Sequence, residues 1–207
     1  HMVMPGLVYL SQPTEYGTLY SLKELEEIRE ACSRWRLKLY VDGARLAYGL
    51  ASPENDVAIS DLARLCDAFY IGGTKCGALL GEAVVFPEPD AAPGFFTLMK
   101  QHGALLAKGR LIGIQFDVLL TDGLYVKIAQ NALSAADELR KIFRQKGWEP
   151  EFGSPTNQVF IVLPDETIKR LSEQVEFSFW EKSGKDRSLV RFATSWSTTA
   201  EDIERLK

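Results

Sequence analysis

Short apolar runs alternate with amphipathic segments through the first 71 residues, and this alternation constrains the fold more than any other feature. Residues 7–10 (Leu-Val-Tyr-Leu) read as a buried strand. A polar, turn-prone stretch follows, and then Ser21 stands three residues before Glu24. That is the spacing of a capping box, in which each side chain reaches a backbone N–H left open at a helix start. Leu22, Leu25, Ile28, Cys32 and Trp35 recur every three or four residues, the period of one helix face. Residues 37–41 predict a second strand. Residues 60–67 predict a short helix with Leu62, Leu65 and Cys66 inward, and residues 68–71 a third strand. Strands separated by helices join through crossovers, so the pattern predicts an α/β sheet, mostly parallel. Residues 83–86 form a fourth strand, closed by Pro87 and Pro89.

The second half has a different texture. Residues 95–120 look helical, interrupted by Gly103, Gly109 and Gly113, and Asp122-Gly123 is a break. Residues 125–146 predict a strong helix with Ile128, Ala132, Ala136, Leu139 and Phe143 on one face, ended by Gly147. Residues 158–163 and 189–194 read as strands around a polar, helical middle. The expected division is therefore 3–122 and 123–207, the latter a smaller α+β unit. His1-Met2 reads as the remnant of a cleaved tag. Residues 199–207 read as the first turns of a helix with no C-cap, so the sequence is expected to be a piece of a longer protein.

Composition narrows the partners. Lys plus Arg is 24 and Asp plus Glu is 28, so the net charge is 24 − 28 = −4. That balance gives no reason to expect nucleic acid or an anionic membrane surface. No apolar run approaches the ~18 residues of a membrane span. Cys32, Cys66 and Cys76 are odd in number and lack metal spacing, which predicts no disulfide framework, no metal site and a reducing cytoplasm.

In open α/β sheets, ligands bind beyond the carboxyl ends of the strands. Two charged residues fall there. Asp42 follows the second predicted strand and Lys75 the third, amid Gly43, Ala44, Gly72, Gly73 and Gly77. Glycines let backbone approach a ligand closely. A partly desolvated lysine beside a carboxylate can lose its proton and attack a carbonyl. The alternative reading is a turn-forming Asp and a solvated Lys. Gly72-Gly73-Thr74-Lys75 is not a nucleotide-phosphate loop, because that motif needs Ser or Thr after the Lys, and here Thr precedes it.

Residues 40–46 (Tyr-Val-Asp-Gly-Ala-Arg-Leu) and 69–77 (Phe-Tyr-Ile-Gly-Gly-Thr-Lys-Cys-Gly) resemble the threonine aldolase and β-eliminating lyase family. The likeness continues through residues 100–110 and 191–196. It implies the C-terminal part of a large domain of the aspartate aminotransferase-like fold (fold type I of enzymes dependent on pyridoxal 5′-phosphate, PLP), followed by a small α+β domain. By this resemblance Lys75 carries PLP as a Schiff base and Asp42 pairs with the pyridine nitrogen, a carboxylate there favouring the protonated ring. Arg45 lies beside the cofactor and the substrate carboxylate, and Arg191 grips that carboxylate with its planar fork. Thr74 and the backbone near Gly72 help with the phosphate. Lys108 and Arg110 approach the phosphate of a neighbouring subunit in a homodimer or tetramer. Gln12 and Thr14 lie in a segment that passes the cofactor. His102 reads as structural or interfacial, and Cys76 as a small packing residue.

The expected activity is cleavage of a β-hydroxy-α-amino acid to glycine and an aldehyde. β-Elimination is the alternative within the family, and a non-catalytic assembly module the alternative outside it. Family members carry a longer N-terminal part with the phosphate cradle and a ring-stacking histidine. The resemblance therefore implies that these 207 residues are N-terminally truncated and act poorly alone.

Overall fold

The computed structural model describes residues 1–207. Its first sheet is built from β1 (Leu7–Ser11), β2 (Lys38–Asp42), β3 (Ala68–Ile71) and β4 (Ala83–Val85), in that spatial order. β1, β2 and β3 run parallel, and β4 is antiparallel to β3. Helix α1 (Leu22–Trp35) connects β1 to β2, while α2 (Leu46–Leu50) and α3 (Ile59–Leu65) connect β2 to β3. The capping box is formed: Glu24 N donates to Ser21 Oγ at 3.3 Å, and Ser21 N to Glu24 Oε2 at 2.8 Å. The apolar stripe buries Leu25 and Cys32, but Trp35, at the last helical position, is 73% exposed. Its place on the periodic stripe suggested otherwise; the chain turns away directly after it through Arg36 at φ 55°.

The expected interrupted helix at 95–120 is two helices, α4 (Phe95–Gln101) and α5 (Arg110–Leu120). Gly113 lies inside α5 rather than breaking it; a lone glycine weakens a helix without removing any backbone hydrogen bond. A single 3-10 turn, Thr121–Gly123, leads into the 22-residue α6 (Leu124–Gln145). The second sheet is antiparallel, with β5 (Gln158–Pro164), β7 (Arg187–Ala193) and β6 (Ser178–Lys182) in the order β5-β7-β6. Helix α7 (Asp165–Leu171) joins β5 to β6, and α8 (Ala200–Glu204) ends the chain. No helix is long and apolar enough to cross a membrane.

Helix α6 serves both hydrophobic cores. Tyr125, Ala129, Ala132 and Leu133 pack with the first sheet's core, beside Leu39, Val41, Phe69 and Ile71. Ala136, Leu139 and Phe143 pack with Val159, Ile161, Val190 and Phe192 of the second. Polar ties close the same seam. The buried Arg140 guanidinium donates to the Ser154 carbonyl at 2.8 Å and the Thr156 carbonyl at 2.5 Å. Ser154 and Thr156 hydroxyls in turn donate to the Gly17 carbonyl, at 3.1 and 2.9 Å. The loop after β1 is thereby held against the second sheet, where Tyr16 packs on Phe160 and Trp180.

Candidate active site

The carboxyl ends of β2 and β3 meet at glycines. Gly72 N donates to the Gly43 carbonyl at 2.9 Å. A Cβ on Gly43 would collide with the Tyr70 carbonyl oxygen, and one on Gly72 with the Ala44 carbonyl oxygen. Only glycine permits this approach, and it brings Asp42 and the turn bearing Lys75 together.

Asp42 is held from three sides. Its Oδ1 accepts from Ala44 N at 2.9 Å, and its Oδ2 from the Tyr9 hydroxyl. Burial alone would raise its carboxyl. Hydrogen bonds from Tyr70, Tyr9 and Ala44 N, together with the Lys75 charge, outweigh burial and hold it below the ordinary carboxylate value. The reciprocal effect pushes Tyr9 up to about 12, chiefly through its hydrogen bond to Asp42. Tyr9 also stacks on Tyr40, with ring centroids 5.4 Å apart. The sequence reading missed Tyr9 and Tyr70. Both lie on the Asp42 face of the sheet, because Tyr9 and Ala68 each pair with Tyr40 and strand side chains alternate, which carries Tyr70 and Asp42 to the same side. That signal becomes readable only once the register is known.

Lys75 is exposed, and the turn that carries it is anchored. Tyr125 Oη donates to the Gly72 carbonyl at 2.5 Å and accepts from Ala47 N at 3.2 Å. The buried Tyr48 hydroxyl donates to the Lys75 carbonyl. Thr74 Oγ1 donates to Glu82 Oε1 at 2.6 Å, and Gly73 N donates to Glu82 Oε2. Cys76 is buried, and burial pushes its thiol up to about 12, the wrong direction for a nucleophile at neutral pH.

A second constellation stands where the β1–α1 loop meets β7. Arg45 lies 3.7 Å from Glu15 Oε2. Arg191 donates from Nη1 to Gln158 Oε1 at 3.1 Å and from Nη2 to Ser178 Oγ at 3.2 Å, and its guanidinium lies over Trp180, 5.3 Å from the ring centroid. The Arg191 Nε is buried without a partner. Burial, and then the Arg45 charge, lower its basicity, with Glu15 opposing. Two guanidiniums near enough for one charge to act on the other, with an unpartnered donor, suit a carboxylate.

The structure brings Asp42 and Lys75 together, and Arg45 with Arg191. Lys108 and Arg110 stand elsewhere, exposed at the start of α5, and His102 is exposed at the end of α4. Gln12 is buried, its amide paired with the backbone of Tyr20 at 3.0 Å in both directions, and Thr14 shares a hydrogen bond with Thr18 at 2.6 Å. Both side chains therefore brace their own loop.

The family model described as beta-eliminating lyase matches residues 1–176. A low-specificity L-threonine aldolase of Pseudomonas aeruginosa is 32% identical over 208 residues, covering 100% of this chain and 58% of that protein. A solved structure of threonine aldolase from Leishmania major superposes with a TM-score of 0.95 at 40% identity, covering 100% of this chain and 60% of that one. A serine palmitoyltransferase from Sphingomonas wittichii shares the fold at a TM-score of 0.67 and 13% identity.

Proposed function

We propose, from the premise that this chain belongs to the β-eliminating lyase family and has the fold of PLP-dependent fold type I enzymes, that it forms part of a PLP-dependent amino-acid lyase of the threonine aldolase kind. The chain spans 58% of the length of the Pseudomonas aeruginosa relative, and the proposal concerns the protein to which these residues contribute. The observation that carries it is the meeting of Lys75 and Asp42 at the glycine-lined ends of β2 and β3.

The residues present fit PLP. Lys75 would hold it through its exposed amine. Asp42 would face the ring nitrogen: a carboxyl kept below its ordinary value stays charged at neutral pH and holds a proton on that nitrogen. When bound, PLP supplies an electron sink for charge developing at the substrate Cα. Arg45 and Arg191 would grip the α-carboxylate, the unpartnered Arg191 Nε taking part. Gripping that group fixes which bond to Cα is presented for cleavage, and orientation of this kind accounts for much of an enzyme's rate.

The same residues serve Cα–Cβ cleavage of a β-hydroxy-α-amino acid and β-elimination. The two relatives at 32% and 40% identity, both threonine aldolases, favour the first; the family description favours the second. A homo-oligomer would cover the exposed apolar row of α5 and bring Lys108 and Arg110 to a neighbouring site.

A PLP titration followed by visible absorbance, with Lys75→Ala alongside, tests the reading. A lysine-dependent band is expected; a folded chain without one overturns cofactor binding by these residues. Assays for glycine plus aldehyde against pyruvate plus ammonia then separate the two reactions.

A further inference from the structure

We propose that Glu82 is a positioning residue for Lys75: its carboxylate clamps the turn at residues 72–75 by accepting from Gly73 N and Thr74 Oγ1, and so withholds those two donors from the cofactor's phosphate. The inference rests on Lys75 being the reactive lysine. Carboxylates accept stronger hydrogen bonds than neutral groups, and this one takes two donors, one on each oxygen. Gly81, at φ +86°, lets the chain present Glu82 to the turn. Gly73 packs close to this segment, since a Cβ there would lie 2.9 Å from the Gly81 carbonyl oxygen and 2.8 Å from Phe116 Cζ.

The clamp completes a set. Tyr125 holds the Gly72 carbonyl, Tyr48 the Lys75 carbonyl, and Glu82 the N–H and hydroxyl between them. The two tyrosines are buried, whereas Glu82 reaches the turn from the solvent side. With the backbone fixed from α2, α6 and the start of β4, only the Lys75 side chain remains free to sweep. A nucleophile on a fixed base samples fewer unproductive placements. The same geometry reassigns Thr74. A phosphate dianion at Gly73 N and Thr74 Oγ1 would sit against the Glu82 carboxylate and be repelled by it. Thr74 therefore serves the turn, and the phosphate takes its donors elsewhere.

The test uses the full 207-residue chain with Glu82→Ala and Glu82→Gln, circular dichroism reporting the fold of each. Amide hydrogen exchange at Gly73 is read by NMR. Glu82→Ala is expected to speed it about tenfold or more relative to amides of β2, the size of a lost charge-assisted hydrogen bond, with Glu82→Gln intermediate. Lys75 is then labelled with pyridoxal, which has no phosphate, and borohydride, and the modified lysines are counted by mass spectrometry. Lys75 labelling should fall several-fold in Glu82→Ala relative to the other lysines, and recover in part in Glu82→Gln. Unchanged Gly73 exchange in folded Glu82→Ala overturns the clamp. Faster Gly73 exchange in Glu82→Ala with equal Lys75 labelling in both proteins overturns the positioning role. A wild-type chain whose Lys75 is never labelled removes the reactive-lysine reading, and the positioning role with it, whatever the amide shows.

Discussion

At the scale of single residues, Asp67 shows how one carboxylate joins three elements. It accepts from Lys38 Nζ at 2.7 Å, from Arg29 Nη1 at 2.8 Å and from Leu39 N at 2.9 Å, tying β2 and α1 to the start of β3. Burial would raise its carboxyl, but these donors outweigh burial and hold it down at about 2. Because the folded value lies below the unfolded one, the stabilisation is complete above about pH 4 and disappears as the pH falls through about 2. Asp67→Asn is expected to cost about 2 kcal/mol at pH 7 and little at pH 2, which urea unfolding at the two pH values measures. Gly43 makes a harder demand. With the Tyr70 carbonyl occupying the place of any Cβ, Gly43→Ala is expected to cost about 3 kcal/mol or more, or to abolish folding, as read by the thermal midpoint. Lys75→Ala is expected to leave that midpoint unchanged while removing the PLP-dependent band, which separates a residue of the site from a residue of the fold.

At the scale of elements, local signals were legible where a pattern is complete in a few neighbouring residues. The capping box of α1 is such a pattern. Ser21→Ala is expected to cost about 1 kcal/mol in urea unfolding, with the site geometry intact. The faces of α3 and α6 were equally legible, since Leu62, Leu65, Cys66, Ala132, Ala136, Leu139 and Phe143 are all buried and Ile128 is half-buried against the first core. Helix α2 was not. Five residues are too few for a periodic signal, and it is held by tertiary contacts: all its residues but the last are buried, and Ala47 N is taken by Tyr125 Oη. Strand β6 was missed because residues 178–182 sit at the sheet edge, mostly exposed, with a bulge between Phe179 and Glu181. An irregular edge strand loses the alternation by which strands are recognised.

At the scale of the whole molecule, α5 presents an open apolar row. Leu111, Ile114 and Val118 are each more than half exposed, one above another on the helix, with Leu79 and Leu80 on the neighbouring loop. A patch of this kind, beside the cations Lys108 and Arg110, suits association with a second copy. Ile114→Glu combined with Leu111→Glu is expected to lower the mass measured by light scattering without changing the circular dichroism; an unchanged mass would overturn association through this face.

The candidate site divides along the same line as the fold. Asp42 and Lys75 were legible because each follows an apolar run and sits among glycines, a signal contained in a few residues. Glu82, Tyr9, Tyr48, Tyr70 and Tyr125 carry no such signal. Each acquires its role from a partner whose place depends on register and helix packing, as Tyr125 does by reaching Gly72 from 53 positions away. Likewise the Arg45 charge acts on Arg191 across the seam that α6 and the bound Gly17 loop close between the first core and the second sheet. The periodic elements, the glycines at the strand ends and the charges beside them are all local features of the chain, because hydrophobic period and backbone sterics act between near neighbours. Which side chains hold the lysine turn, and which charges converge, is set by the packing of segments far apart in the chain, and no local pattern carries it.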